Sequence, residues 1–576
     1  MLKYNSQTFQ NQTYDLIVVG GGINGAGVAR DAALRGLKTI LIEKGDFCGG
    51  TTSWSTRLIH GGLRYLEYFE VALVRESLRE REVLLRTAPH LVKPLLLTIP
   101  IYRDRSRPYW KIQAGMVLYD LLSFDKTLPM HRMLSRQKFA QLFRHLDPED
   151  LSGAAQYYDA QVEYAERLAL ETIRAAEAAG ATVLNYTTVT DLVRQGDRIT
   201  AVTCRDTLSG EEFQIRGTEK TVVVNTAGPW VDEVLARGRR DGEAAPISKT
   251  RKIGGTKGSH IIVNRFPGAP KDSALYVEAK SDGRPFFIVP FLNNQVLIGT
   301  TDLKYSGSLD NIKADNDEID YLITETNSII PSAQLQREDV IFTFSGVRPL
   351  PYAEGKKAGS ITRSHILYDH TPEGAHNLIS LIGGKITTYR QVGEEMVNLV
   401  FQKRGTTAPP CATDHQGLPG ASLPHDALRR QTMQDYQSRV PMASLEHLFD
   451  MYGAKAVEIL KLTDDAPDLV EAIAPSLPDI KAQIVYAVQA EYARTLVDIL
   501  RRRTSLAMQG NYGLHLLPTV TQVLERYCGW NTDESDRQMR YYRDFMALNC
   551  IPDYALAESL PTGVSRSREP ELSLRR

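Results

Sequence analysis

Gly20, Gly22 and Gly25 form G-x-G-x-x-G directly after the apolar run 15–19, and Glu43 stands 18 residues beyond Gly25. Glycines at that spacing let backbone N–H groups close on a pyrophosphate, and a helix starting there adds partial positive charge. A carboxylate ending the next strand accepts both hydroxyls of an adenosine ribose and disfavours a 2′-phosphate. The chemistry implied is the holding of FAD or NAD. Residues 45–55 (G-D-F-C-G-G-T-T-S-W-S) follow, a glycine- and hydroxyl-rich loop able to wrap a diphosphate and ribityl chain.

Further on stand His60, Gly61, Gly62, Arg64 and Tyr65. Two glycines beside an imidazole and a guanidinium read either as backbone close to a flat ligand or as a glycine turn with surface charge. Arg348 precedes a proline that fixes its backbone. Residues 383–390 (G-G-K-I-T-T-Y-R) open a helix that Thr387 or Thr388 can cap. Its N–H groups suit a flavin carbonyl that turns negative on reduction.

The elements that must position these residues alternate. Buried strands at 15–19 and 39–42 flank a helix at 26–35. A helix over 69–85 carries Arg75, Arg79, Glu82 and Arg86, read as a solvated face with pairs three and four apart. Residues 94–150 are short apolar pieces; their R-D-R-S-R-P-Y-W is either a solvated loop or a contact for anionic lipid. A helix at 162–179 ends at Gly180, and an antiparallel meander follows at 182–193, 199–205 and 212–216. A buried strand at 221–225 then runs into T-A-G-P-W, a second loop aimed at the dinucleotide. That resumption fits a two-domain flavoprotein better than an NAD dehydrogenase with a contiguous nucleotide domain. Strands over 250–303 form a sheet walling a cavity, and 378–382 is the last nucleotide-domain strand. Residues 403–424 are a Pro- and Gly-rich linker. Apolar residues from Ile480 to Leu500 repeat at three and four, one face of a long helix, with further helices at 514–527 and 534–546.

At 576 residues several domains are expected. Charges of 68 basic against 69 acidic point away from nucleic acid. Five cysteines without C-x-x-C predict reduced thiols and no metal cluster. Neither a signal peptide nor a run of ~20 apolar residues is expected, so the chain reads as intracellular, soluble or peripherally attached.

The ordered set G-G-G-I-N-G-A-G, T-T-S-W-S-T-R-L-I-H-G-G-L-R-Y-L, N-T-A-G-P-W, K-G-S-H, S-G-V-R-P-L, G-G-K-I-T-T-Y-R and R-R-R-T-S-L resembles the FAD-dependent glycerol-3-phosphate dehydrogenases over nearly the whole chain. Glu163-Tyr164 departs from the paired aspartates usual there. The resemblance implies an α/β fold: a Rossmann-like FAD-binding domain (about 14–95, 150–250 and 340–402) interleaved with an antiparallel-sheet substrate domain (about 96–149 and 251–339). A linker, a helical domain at 425–555 and a disordered tail from 556 complete it. It implies oxidation of sn-glycerol 3-phosphate to dihydroxyacetone phosphate, with hydride from C2 to flavin N5 and electrons passed to a membrane quinone, or to oxygen in an oxidase branch. It implies His60 as base and Arg348 on substrate anion or alkoxide, with Arg64, Tyr65 and Lys385 gripping phosphate. FAD contacts are implied from Gly20, Gly22, Ile23, Asn24, Gly25, Glu43, Lys44, Thr51, Thr52, Ser53, Ser55, Leu58, His60, Val189, Ala227, Gly228, Trp230, Gly384, Lys385 and Thr387. His260 and Cys48 read as packing. Peripheral attachment to the inner face of the cytoplasmic membrane is expected, with a homodimer left open. The other readings are an amino-acid or sarcosine-type flavin oxidase, which needs one arginine for a carboxylate, and a non-catalytic flavin-binding scaffold.

Overall fold

Two ten-stranded sheets and a helical domain make up the chain. The computed structural model describes residues 9, 12–103, 107–240, 242–355, 359, 361–421 and 425–556. The opening residues, residues 104–106 of the basic loop, and all but the first residue of the expected disordered tail lie outside those described.

In the first sheet Thr13–Val19 pairs in parallel with Thr39–Ile42 on one side and Glu212–Asn225 on the other. Thr182–Leu184 and Leu378–Ile382 extend the parallel set outward. These strands are runs of Val, Ile and Leu because helices cover them: Ile23–Leu34, Ala165–Ala178 and Tyr389–Lys403 share one core with them. The meander Thr187–Gln195, Arg198–Asp206 and Glu212–Asn225 is antiparallel. Its third strand is continuous with the buried stretch read separately at 221–225.

The second sheet is antiparallel apart from the parallel pair Val92–Tyr102 and Ala274–Glu278. It takes in Leu58–Ile59, Leu151–Val162 and Val340–Arg348, segments that the sequence division assigned to the FAD part. Strands buried on both faces read alike whichever sheet they join, so pairing partners, not pattern, set that division.

Two expectations are corrected. On helix Val71–Thr87, Glu82 is buried and accepts from Arg81 and from Thr127, while Arg75 pairs with Asp125 across a gap of 50 residues. The long helix over 480–500 is broken: Lys481–Ala490 ends, Tyr492 takes φ +62°, and a π-helical turn, Asp498–Arg503, begins afresh. The Asp498 carboxylate accepts from the Arg494 and Thr495 N–H groups at the start of the second helix. The linker touches helix Ile23–Leu34 at points: Thr413, Leu418 and Gly420 are buried and Arg30 donates to the Gln416 carbonyl, while residues 405–407, 409–410 and 415–417 are exposed.

The helical domain rests on the second sheet. Phe342, Phe344 and Leu297 share a core with Leu496, Ile499, Leu506 and Tyr542, and Thr343 Oγ1 donates to the Cys550 carbonyl at 2.7 Å.

Candidate active site

Where Thr13–Val19 hands over to helix Ile23–Leu34, the turn presses on the end of strand Glu212–Asn225. A Cβ on Gly25 would lie 1.9 Å from the Gly20 carbonyl oxygen and 2.7 Å from Thr226 Oγ1, and Gly20 holds φ +107°. Only glycine fits this approach. Gly22 has only Thr52 Oγ1 within 4 Å of a Cβ, and that hydroxyl accepts from the Ile23 N–H at 3.1 Å. Neither helix Ile23–Leu34 nor Tyr389–Lys403 has a side-chain N-cap. The Asn24 Oδ1 and Thr388 Oγ1 atoms are buried without partners, so Thr388 does not cap its helix. Glu43 accepts from the Gly21 and Gly45 N–H groups at 2.7 and 3.0 Å. Burial raises its carboxyl pKa, and those two donors oppose the rise. Gly228, at φ +58°, faces open space. Uncapped N–H donors, orphaned polar atoms and a strand-end carboxylate fit an FAD.

Other sequence-selected residues are engaged with protein. Thr51 Oγ1 donates to the Val347 carbonyl, Ser53 Oγ to that of Cys48, and Ser55 Oγ accepts from the Arg57 N–H. Lys44 pairs with Asp310 at 2.6 Å and lies over the Trp230 ring, whose Nε1 also donates to Asp310. Leu58 and Val189 are core residues, the Ala227 N–H bonds Asn225, and Gly384, at φ +95°, lies against Asn24.

Strand Leu58–Ile59 delivers His60. Its N–H donates to Thr387 Oγ1 at 3.3 Å, and its ring meets Phe287 edge-on, which in turn stacks on Tyr276. The next N–H, of Gly61, is held by Tyr119 Oη at 3.0 Å, and Tyr119 donates to Asp159, which Arg81 also binds at 2.6 Å. A Cβ on Gly61 would sit 2.5 Å from Tyr119 Oη, and one on Gly62 2.2 Å from the Tyr65 ring. The glycine pair therefore makes room for Tyr119 and Tyr65. Burial lowers the His60 pKa; Asp159 opposes this and Lys385 adds to it.

Four cations gather around Tyr65. Arg348 bonds Asp302 at 3.2 Å and Thr300 Oγ1 at 3.1 Å, its guanidinium filling the place a Cβ on Gly258 would take. Arg363 binds the other oxygen of Asp302 at 3.1 Å. Arg64 donates to Tyr68 Oη and the Gly359 carbonyl, both at 3.4 Å. Lys385 Nζ sits 4.3 Å over the Tyr65 ring and 3.2 Å from Ser77 Oγ. Burial pushes the Lys385 pKa down to about 7, with Glu76 and Glu70 opposing and Arg363 reinforcing. Burial raises the Tyr65 phenol, against the pull of Arg363, Arg348 and Arg64. His260, by contrast, bonds Thr56 and stacks on Phe344 at 4.6 Å, and burial holds its ring neutral. Sequence reasoning missed Arg363, Asp302 and the Arg81–Asp159–Tyr119 support. The T-T-D ending at Asp302 was visible but carried no signal of its partners.

A family model described as FAD dependent oxidoreductase matches residues 15–390, and one described as the C-terminal domain of alpha-glycerophosphate oxidase matches 411–535. The chain thus belongs to the FAD dependent oxidoreductases, with FAD as cofactor. It is 62% identical over 554 residues to glycerol-3-phosphate dehydrogenase of Synechocystis sp., covering 96% of this chain and 100% of the relative. It is 38% identical to D-erythritol 1-phosphate dehydrogenase of Brucella abortus, over 86% of this chain and 94% of that one. The X-ray structure of glycerol-3-phosphate dehydrogenase from Bacillus halodurans complexed with FAD matches with a TM-score of 0.75 at 26% identity, covering 94% and 96% of the two chains. Within the oxidoreductases, this chain is a member of the FAD-dependent glycerol-3-phosphate dehydrogenase family.

Proposed function

We propose that this protein oxidises sn-glycerol 3-phosphate to dihydroxyacetone phosphate and delivers the electrons to a membrane quinone. The observation that carries the reading is the gathering of cations, Arg64, Arg348, Arg363 and Lys385, about Tyr65 and beside His60. A phosphate dianion calls for that much charge; an amino-acid carboxylate calls for one arginine. Arg64, Tyr65 and Lys385 grip the phosphate, and Arg348 steadies the oxygen on C2 as it becomes anionic. His60, held neutral by burial, takes the hydroxyl proton as hydride leaves C2. FAD, when bound by the glycine turn, Glu43, Thr52 and the Tyr389–Lys403 helix start, supplies the hydride acceptor.

A surface for the quinone-bearing membrane supports the second half. Phe69, Phe124 and Trp110 are 89%, 77% and 71% exposed. Tyr68, Val71, Val117, Leu118 and Leu121 are also exposed, with Trp110, Val117, Leu118 and Leu121 on helix Tyr109–Leu122, and Arg75 stacks on the Phe124 ring. An apolar helix face left in water costs free energy that an interfacial membrane contact recovers. No helix among the described residues is long and apolar enough to cross a membrane. The reading is of peripheral attachment to the inner face.

Anaerobic stopped-flow reduction tests the reading. sn-Glycerol 3-phosphate bleaches the flavin faster than D-erythritol 1-phosphate, and sarcosine leaves it oxidised. A quinone analogue in vesicles then reoxidises it faster than oxygen does. In His60→Asn the reduction slows by about 10²–10⁴ with substrate affinity nearly kept; equal losses in both would make His60 structural.

A further inference from the structure

The π turn Asp498–Arg503 carries three consecutive buried arginines and lies against the 45–55 loop. Successive helical side chains diverge by about 100°, so neighbours can reach different targets. Arg502 Nε and both Nη atoms of Arg503 converge on the Asp46 carboxylate at 2.5, 2.7 and 2.7 Å. Arg501 turns to the other end of the loop. It donates to the Ser53 carbonyl at 3.0 Å, lies 4.6 Å over the Trp54 ring, and bonds Glu166 at 2.6 Å. Glu166 is also gripped by Arg57 through both oxygens at 2.7 Å, and Arg502 is tied back to Asp498 at 2.6 Å. The loop is therefore fixed at both ends by residues 448 to 457 positions further along the chain. Between those ends Thr52 meets the helix start at the glycine turn.

We propose that Arg501, Arg502 and Arg503 are positioning residues for the cofactor. The helical domain holds the 45–55 loop in the shape that closes on the FAD diphosphate, so FAD affinity depends on a part of the chain remote from the cofactor. A loop that must be ordered at the moment of binding loses affinity; one clamped beforehand does not. The inference rests on the reading that this loop closes on FAD.

Arg501→Met is the sharpest variant, because Glu166 keeps Arg57 and no carboxylate is left unpaired. Full-length apoprotein is titrated with FAD by flavin fluorescence, beside the thermal midpoint of the apoprotein. The expected result is about tenfold weaker FAD binding, an intermediate value for Arg501→Lys, and a midpoint little changed. FAD affinity within about twofold of the parent, whatever the midpoint, would overturn it and leave the arginines as domain glue. Should Arg501→Met fail to fold, Arg503→Lys, which leaves Asp46 its Arg502 contact, is read by the same two outcomes. Thr52→Val separates the two ideas. If Thr52→Val also leaves affinity intact, the loop assignment itself fails; if it alone weakens FAD, only the clamp fails.

Discussion

Two groups of cations in this molecule are partnered differently. In the clamp, Arg57, Arg501, Arg502 and Arg503 meet Asp46, Glu166 and Asp498 at hydrogen-bond distance, all buried. Around Tyr65, Arg348 and Arg363 both bond Asp302; among the described residues Arg64 donates to a phenol and a carbonyl, and Lys385 to a hydroxyl, with the Glu70 and Glu76 carboxylates further off. A buried cation needs an anion. Where the fold supplies it at hydrogen-bond distance, the charge serves architecture; under the proposed function, the donors around Tyr65 serve a substrate anion. On that proposal the same residue type does two jobs, told apart by its partners.

The contrast is broken most forcefully by removing one arginine from each group. Arg348→Ala is expected to lower the second-order rate of flavin reduction by about 10²–10³, with the substrate-free protein keeping its thermal midpoint. Arg503→Ala is expected to do the reverse, costing about 3–5 kcal/mol of stability by leaving Asp46 under-compensated. Denaturant unfolding and stopped-flow reduction on both variants check the pair; matching stability losses would erase the distinction.

Lys385 sharpens it next. Its folded pKa of about 7 lies below the usual ~10.4, so between those values the unfolded chain holds a proton that the folded chain lacks. Stability from this group therefore rises with pH across that window and is lowest at and below neutrality. Lys385→Met is expected to raise the midpoint of the substrate-free protein at pH 7 and to flatten that slope. Since the phosphate ester is already dianionic above pH ~6, substrate affinity should weaken from pH 7 to 9 in the parent but not in the variant. The smallest effect belongs to Lys44→Gln: its half-exposed pair with Asp310 is worth about 0–1 kcal/mol, so FAD affinity should shift by no more than a few-fold.

The nucleotide-binding unit was legible because its signals are local. Strand, glycine turn, helix and Glu43 all fall within thirty residues, each fixed by its own sterics. Arg64, Arg348 and Lys385 were legible as residue types within motifs. Arg363 and Asp302 were not, because residues 302, 348 and 363 meet only through strand pairing and the loop beyond it. The arginine clamp was hidden as well. Arg501, Arg502 and Arg503 stand in the sequence only as part of a motif, and nothing local names Asp46, Ser53 and Glu166, 335 to 457 positions away, as their partners. The Glu82 misreading has the same origin: a charge at helical spacing gives no sign of the Arg81 and Thr127 waiting for it.

The most direct measurement is anaerobic flavin reduction by sn-glycerol 3-phosphate carrying deuterium at C2, set against unphosphorylated glycerol. The expected result is saturable bleaching, slowed several-fold by the deuterium, with glycerol inert at the same concentration. Bleaching by glycerol as fast as by its phosphate, or none by either, would contradict a cation-lined site built for a phosphorylated alcohol.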